Sequence, residues 1–107
     1  ISSIIATTGF NGLSAYAASK AGLEGFTRSL SRELGKISVT VNCVAPGFVE
    51  TDMTVGLPDE KMEAIRRRSS LGLPSPEDVA HVVAYLMSQK AARMTGTVMT
   101  VDGGSTA

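Results

Sequence analysis

Three short β-branched runs, separated by helical patterns far too long for hairpins, set the tightest limit on the fold. Ile1–Ala6, Val39–Ala45 and Thr97–Val101 read as strands. Antiparallel neighbours can be joined by two residues, whereas parallel neighbours need a crossover of a dozen or more, usually a helix. Strands alternating with helices therefore predict a parallel α/β sheet. In such sheets ligands sit beyond the carboxyl ends of the strands. Here those ends are Ser3 with the loop behind it, and Pro46 to Thr51.

The first helix is predicted from Ser14, a hydroxyl N-cap, to about Leu34, with Gly35 as the stop. It carries small residues at Ala17, Ala18, Ala21, Gly22 and Gly25, suited to close approach by a sheet or another helix. Phe26, Leu30 and Leu34 continue an apolar stripe. Residues 7–13, with Gly9, Asn11 and Gly12, read as a loop, as do residues 48–56 and Leu71–Ser75. Pro58 to about Ser69 is amphipathic, with Pro58 suited to a first helical turn. Ser75-Pro76-Glu77-Asp78 joins a hydroxyl cap, a proline at the first helical position and acids in the first turn. The helix it opens runs to about Ser88 and is expected to bury Val79, Val82, Val83 and Leu86. Thr95-Gly96 turns the chain into the last strand.

Tyr16 and Lys20 stand four residues apart on the first helix, so both point from one face. A free tyrosine titrates near pH ~10, too high for ready proton exchange at neutrality. A cation about 4 Å away, at an effective dielectric of about 20, is worth ~4 kcal/mol in favour of the phenolate. Such a pair suits a proton donor and acceptor near neutral pH. By itself it is also what an exposed helix pair looks like. Its company adds weight: Ser3 lies thirteen residues earlier at a strand end, and Pro46-Gly47-Phe48-Val49-Glu50-Thr51 follows the second strand.

Ile1-Ser2-Ser3-Ile4, Tyr16-Ala17-Ala18-Ser19-Lys20, Val41-Asn42-Cys43-Val44-Ala45-Pro46-Gly47 and Asp102-Gly103-Gly104 together resemble the short-chain dehydrogenase/reductase family. The likeness is nearest to its 3-oxoacyl-acyl-carrier-protein reductase branch. It covers essentially the whole chain but only the C-terminal half of a family member. It implies a Rossmann-like, doubly wound parallel sheet, represented by three strands and their helices in residues 1–107, with a mobile substrate lid at about 52–72. It implies carbonyl reduction to a hydroxyl with a nicotinamide cofactor, NADP or NAD, with NADP slightly favoured. Tyr16 would donate the proton, Ser3 would hydrogen-bond the carbonyl oxygen, and Lys20 would steady Tyr16 and bind the nicotinamide ribose hydroxyls. Tyr16, Lys20, Pro46, Gly47, Val49 and Thr51 form the implied cofactor contacts: the Val49 backbone meets the carboxamide, and Thr51 the carboxamide or a phosphate. The implied partners are a carbonyl or hydroxyl substrate, carried on acyl carrier protein or free, and further copies of the chain in a homo-tetramer or homo-dimer. The competing reading is a non-catalytic truncated product or pseudoenzyme serving as an oligomerisation module.

Ten basic and ten acidic residues give a formal net charge of +0, which argues against a nucleic-acid or anionic-membrane partner. One cysteine, Cys43, excludes an internal disulfide and fits a reducing compartment. No apolar run is long enough to span a bilayer. The expectation is a cytoplasmic protein with no metal site. Bland roles suit His81 (a surface or packing residue), Asn42 (a satisfied buried amide) and Cys43 (a small core residue). Arg66–Arg68 reads as a solvated helix face or, more sharply, a docking patch for an acidic carrier. Several family features lie outside the chain: the Gly-rich nucleotide turn, the catalytic asparagine and the residue selecting between the two cofactors. Leu73 also stands where relatives place an arginine. The chain by itself is accordingly expected to be inactive and to leave one edge and face of its sheet open.

Overall fold

The computed structural model describes residues 1–51 and 55–107. Its helices are α1 (Ile5–Thr8), α2 (Ser14–Leu34), α3 (Asp59–Arg68) and α4 (Pro76–Met87), and its strands are β1 (Cys43–Pro46) and β2 (Val98–Val101). Single 3-10 turns follow α2 at Gly35–Ile37 and α4 at Gln89–Ala91. The strands pair in parallel, Cys43 opposite Val98 through Pro46 opposite Val101. Two flanking bonds extend the ladder, Cys43 N–H to Thr97 O (2.9 Å) and Gly47 N–H to Val101 O (2.8 Å). The α/β class and the parallel pairing are as the sequence implies.

The first strand is not formed as expected. Ser2 N–H donates to Val44 O (2.7 Å) and Ile4 N–H to Pro46 O (3.1 Å), so residues 1–4 run beside β1 in parallel register. In a parallel ladder the return bond to Ser2 would come from the N–H at position 46. That residue is a proline and has none. The segment is thus bonded from one side only, and the chain turns into α1 at Ile5 instead of continuing extended to Ala6.

Other boundaries shift for local reasons. Leu13, not Ser14, is the N-cap of α2, and no side chain caps it. Gly35 keeps right-handed helical geometry, and the reversal comes at Ser38, with φ +60. Pro58 is the N-cap of α3 rather than part of its first turn. The start of α4 forms as read: Ser75 and Asp78 make a reciprocal capping box with Pro76 in the first turn. Those bonds from Ser75, its backbone N–H first and its hydroxyl second, hold the Asp78 carboxyl below its usual range. Helix α4 packs on both strands, yet Val79, Val82, Val83 and Leu86 are only half-buried.

The fully buried apolar residues are few: Cys43, Val44, Ala45 and Ala91. The radius of gyration is 15.1 Å, against about 13 Å for a compact domain of similar length. Ile1, Phe26 and Ile37 are more than half exposed, so much of the apolar surface remains open. Asn42 is satisfied, donating to Met94 O (2.9 Å) and accepting from the Thr97 N–H and hydroxyl.

Candidate active site

The α2 face turned to the sheet is a stripe at positions 16, 20, 24, 27 and 31, the i, i+4 spacing of one helical side. Its first two members are Tyr16 and Lys20. Tyr16 is 44% exposed, and the Lys20 ammonium lies 5.6 Å from the centroid of its ring, a cation–π contact. Lys20 Nζ also donates to Ile1 O (3.0 Å). An ammonium has three donors, so two remain for a ligand. Lys20 thereby ties the helix bearing Tyr16 to the segment bearing Ser3, two residues on.

Ser3 is half-buried at the end of that segment. Its Oγ accepts the Ile5 N–H (3.2 Å), which leaves the hydroxyl proton available to an acceptor. The next residue, Ile4, is bonded to Pro46 O. The segment bearing Ser3 thus runs beside β1 to Pro46, where the Pro46–Thr51 loop starts, and Lys20 is bonded to its first residue. Beyond Pro46, Val49 is half-buried and Thr51 exposed. Glu50 pairs with Arg66 of α3, tying this loop to the helix that follows it.

Gly47 is required for a reason other than ligand approach. A Cβ there would stand 2.7 Å from Asp102 Cβ and 2.8 Å from Asp102 Cα. Asp102 is held in turn by its own loop: Gly104 N–H (2.9 Å), Ser105 Oγ (3.0 Å), Thr106 N–H (2.9 Å) and Thr106 Oγ (2.6 Å) all donate to it. Burial pushes its carboxyl up, but these bonds, the Thr106 hydroxyl foremost, outweigh burial and hold it below the usual range. The same turn anchors the segment after α3, with Leu71 N–H donating to Gly103 O (2.9 Å). The Asp102-Gly103-Gly104 motif is thus the brace on which the Pro46–Thr51 loop and the root of the expected lid both rest. That lid was placed at 52–72; residues 52–54 lie outside the described residues, and 59–68 form α3.

Among the three arginines, Arg66 and Arg67 are engaged within the chain, with Glu50 and Glu63 respectively. Both pairs are exposed, as a solvated helix face should be. His81 is exposed on α4. Among the described residues no group of His, Cys, Asp and Glu could hold a metal ion, and no helix is long and apolar enough to cross a membrane.

Sequence reasoning missed Glu24, which is 5% exposed and accepts the Ser2 hydroxyl at 2.8 Å. The signal was present: Glu24 stands four residues after Lys20 and eight after Tyr16, on the stripe that the chemistry turns inward.

A nicotinamide nucleoside fits these residues. In donor chemistry, a phenol, an ammonium and the backbone of a strand-end loop suit a hydroxyl-rich ribose and a carboxamide.

Comparison with known proteins agrees. A family model described as enoyl-(acyl carrier protein) reductase matches residues 1–106. The 3-oxoacyl-(acyl-carrier-protein) reductase of Pseudomonas aeruginosa is 50% identical over 97% of the chain, which spans 42% of that protein's length. The solved structure of a short-chain type dehydrogenase/reductase from Mycobacterium ulcerans superposes with a TM-score of 0.92 at 31% identity, over 97% of this chain and 39% of that one. A 4-hydroxyisoleucine dehydrogenase solved with NADH and succinate gives 0.90 at 32% identity, over 98% of this chain and 43% of that one.

Proposed function

This chain belongs to the short-chain dehydrogenase/reductase family, and from that membership we propose that it is the proton-donating, C-terminal half of a nicotinamide-dependent carbonyl reductase. The observation that carries the reading is Lys20. It stands over the Tyr16 ring and holds the carbonyl of Ile1, two residues from Ser3. That link between the Tyr16 helix and the Ser3 segment supports a shared role for the three side chains.

When bound, the nicotinamide supplies the hydride chemistry. The residues of this chain do the rest. As negative charge develops on the substrate oxygen, the Tyr16 hydroxyl donates its proton to it. The Ser3 hydroxyl hydrogen-bonds the same oxygen. Lys20, set against the Tyr16 ring, steadies its orientation and binds the ribose hydroxyls. Pro46, Gly47, Val49 and Thr51 bracket the nicotinamide end, with the Val49 backbone and the Thr51 side chain as polar contacts. Residues from about 52 to 72 act as the substrate lid.

The substrate we assign is a 3-oxoacyl thioester on acyl carrier protein, reduced to the hydroxyl. The support is the printed activity of the Pseudomonas aeruginosa relative. NADP is slightly favoured over NAD by the likeness of the chain's motifs to the family. A cytoplasmic homo-tetramer or homo-dimer completes the reading. It is supported by the open small-residue side of α2, where nothing lies within 4 Å of a Cβ placed on Gly22 or Gly25.

The test is Tyr16→Phe in a complete protein carrying these residues. Turnover should fall about a hundred- to ten-thousand-fold, while titration of cofactor fluorescence shows binding largely intact, with at most a several-fold weaker dissociation constant from the lost Tyr16 contact. Near-parental turnover would overturn the reading.

A further inference from the structure

The mechanism leaves unused a carboxylate buried in the seam between helix and sheet. Carboxylates are almost never fully buried unless paired. Glu24 is 5% exposed and Ser2, its partner, 3%. Their bond is 2.8 Å from Ser2 Oγ to Glu24 Oε1. Ser2 is the residue before Ser3, and Glu24 lies one turn beyond Lys20 on the helix that carries Tyr16.

The need for such a bond follows from Pro46. Residues 1–4 are tied to β1 by donors on one side only, Ser2 N–H to Val44 O and Ile4 N–H to Pro46 O. A strand with half a ladder is weakly fixed in height. What fixes it against α2 is a set of three side-chain bonds: Lys20 Nζ to Ile1 O (3.0 Å), Ser2 Oγ to Glu24 Oε1 (2.8 Å) and a longer, weaker one from Ser2 Oγ to Lys20 O (3.4 Å). Of these, the Ser2–Glu24 bond is the one that joins two residues both sealed from solvent.

We propose that Glu24 is a positioning residue for the carbonyl reduction: through Ser2 it sets the height of Ser3 relative to the Tyr16 phenol. This rests on the reductase reading above. Glu24 touches neither substrate nor cofactor and moves no proton. It acts on where the Ser3 hydroxyl stands when Tyr16 donates.

The experiment uses a complete reductase carrying these residues, with kcat normalised to cofactor-binding sites counted by fluorescence titration, so that a misfolded fraction does not register. Glu24→Ala should lower kcat about a hundredfold, the scale of a 1 Å misplacement, with the cofactor dissociation constant within about twofold of the parent. Glu24→Gln keeps an oxygen that accepts the Ser2 hydroxyl, and should return kcat to within about threefold of the parent. Ser2→Ala should reproduce the loss, and the double variant should be no slower than either single one. Parental kcat in Glu24→Ala would overturn the proposal. So would a glutamine variant as poor as alanine, or losses that multiply in the double variant. Tyr16→Phe is measured alongside. If it loses turnover while Glu24→Ala does not, the positioning role alone falls. If Tyr16→Phe keeps turnover, the reductase reading falls and takes the role of Glu24 with it.

Discussion

The two sides of α2 invert the usual plan for a helix on a sheet. Such a helix ordinarily turns an apolar stripe inward and polar residues outward. Here the three buried residues of α2 are Glu24, Thr27 and Ser31. Each meets a different part of the sheet. Glu24 holds Ser2 beside β1, Thr27 Oγ and Cys43 Sγ on β1 lie 3.0 Å apart, and Ser31 backs against Gly96 before β2. The outer side carries Ala18, Ala21, Gly22, Gly25 and a Phe26 that is 58% exposed. Apolar packing tolerates sliding, whereas hydrogen bonds between short side chains have one register. The inner side thus trades some hydrophobic gain for a fixed height of α2 against the sheet.

That contrast can be broken from either side. The larger effect is expected on the inner side, at the seat of Ser31. Gly96 has φ +71, and a Cβ there would stand 2.7 Å from Ser31 Oγ. Gly96→Ala should destabilise by about 2 kcal/mol, mostly from the left-handed backbone, read as a lower denaturant midpoint with an unchanged slope. On the outer side the same kind of change should do the opposite. Gly22 lies mid-helix with nothing within 4 Å of an added Cβ. In the chain held monomeric by dilution, Gly22→Ala should stabilise by roughly 0.5–1 kcal/mol through helix propensity alone. A loss of stability in that dilute monomer would end the simple contrast, whereas a loss confined to the assembled protein would fit the proposed subunit contact.

Much of the scaffold was legible in the sequence, and the misses share a cause. The body of α2, the capping box of α4 and the last strand follow from local signals: apolar period, Ser75-Pro76-Glu77-Asp78 and the run Thr97–Val101. What could not be read locally was set by a partner far along the chain. Ile1–Ala6 is β-branched enough to be a strand, but Pro46 withholds the bond that would complete its ladder. Ser14 looks like a cap, yet Leu13 occupies that position and the hydroxyl falls one residue inside the helix. The need for a glycine at 47 shows only when Asp102 is found against it. For the site, the spacing of Ser3, Tyr16 and Lys20 was visible because it repeats a family pattern. For Glu24 only its place on the Tyr16–Lys20 stripe was visible; its partner Ser2, twenty-two residues away, was not.

The central claim is that Ser3 and Tyr16 serve one oxygen, and a double-variant kinetic cycle tests it most directly. Ser3→Ala, Tyr16→Phe and the combined variant of a complete reductase would be compared in single-turnover reduction of a 3-oxoacyl thioester. Residues acting as a unit are grossly non-additive. The account predicts that the combined variant reacts within about threefold of Tyr16→Phe alone. Losses that multiply in full would mean the two hydroxyls act independently, and would contradict it.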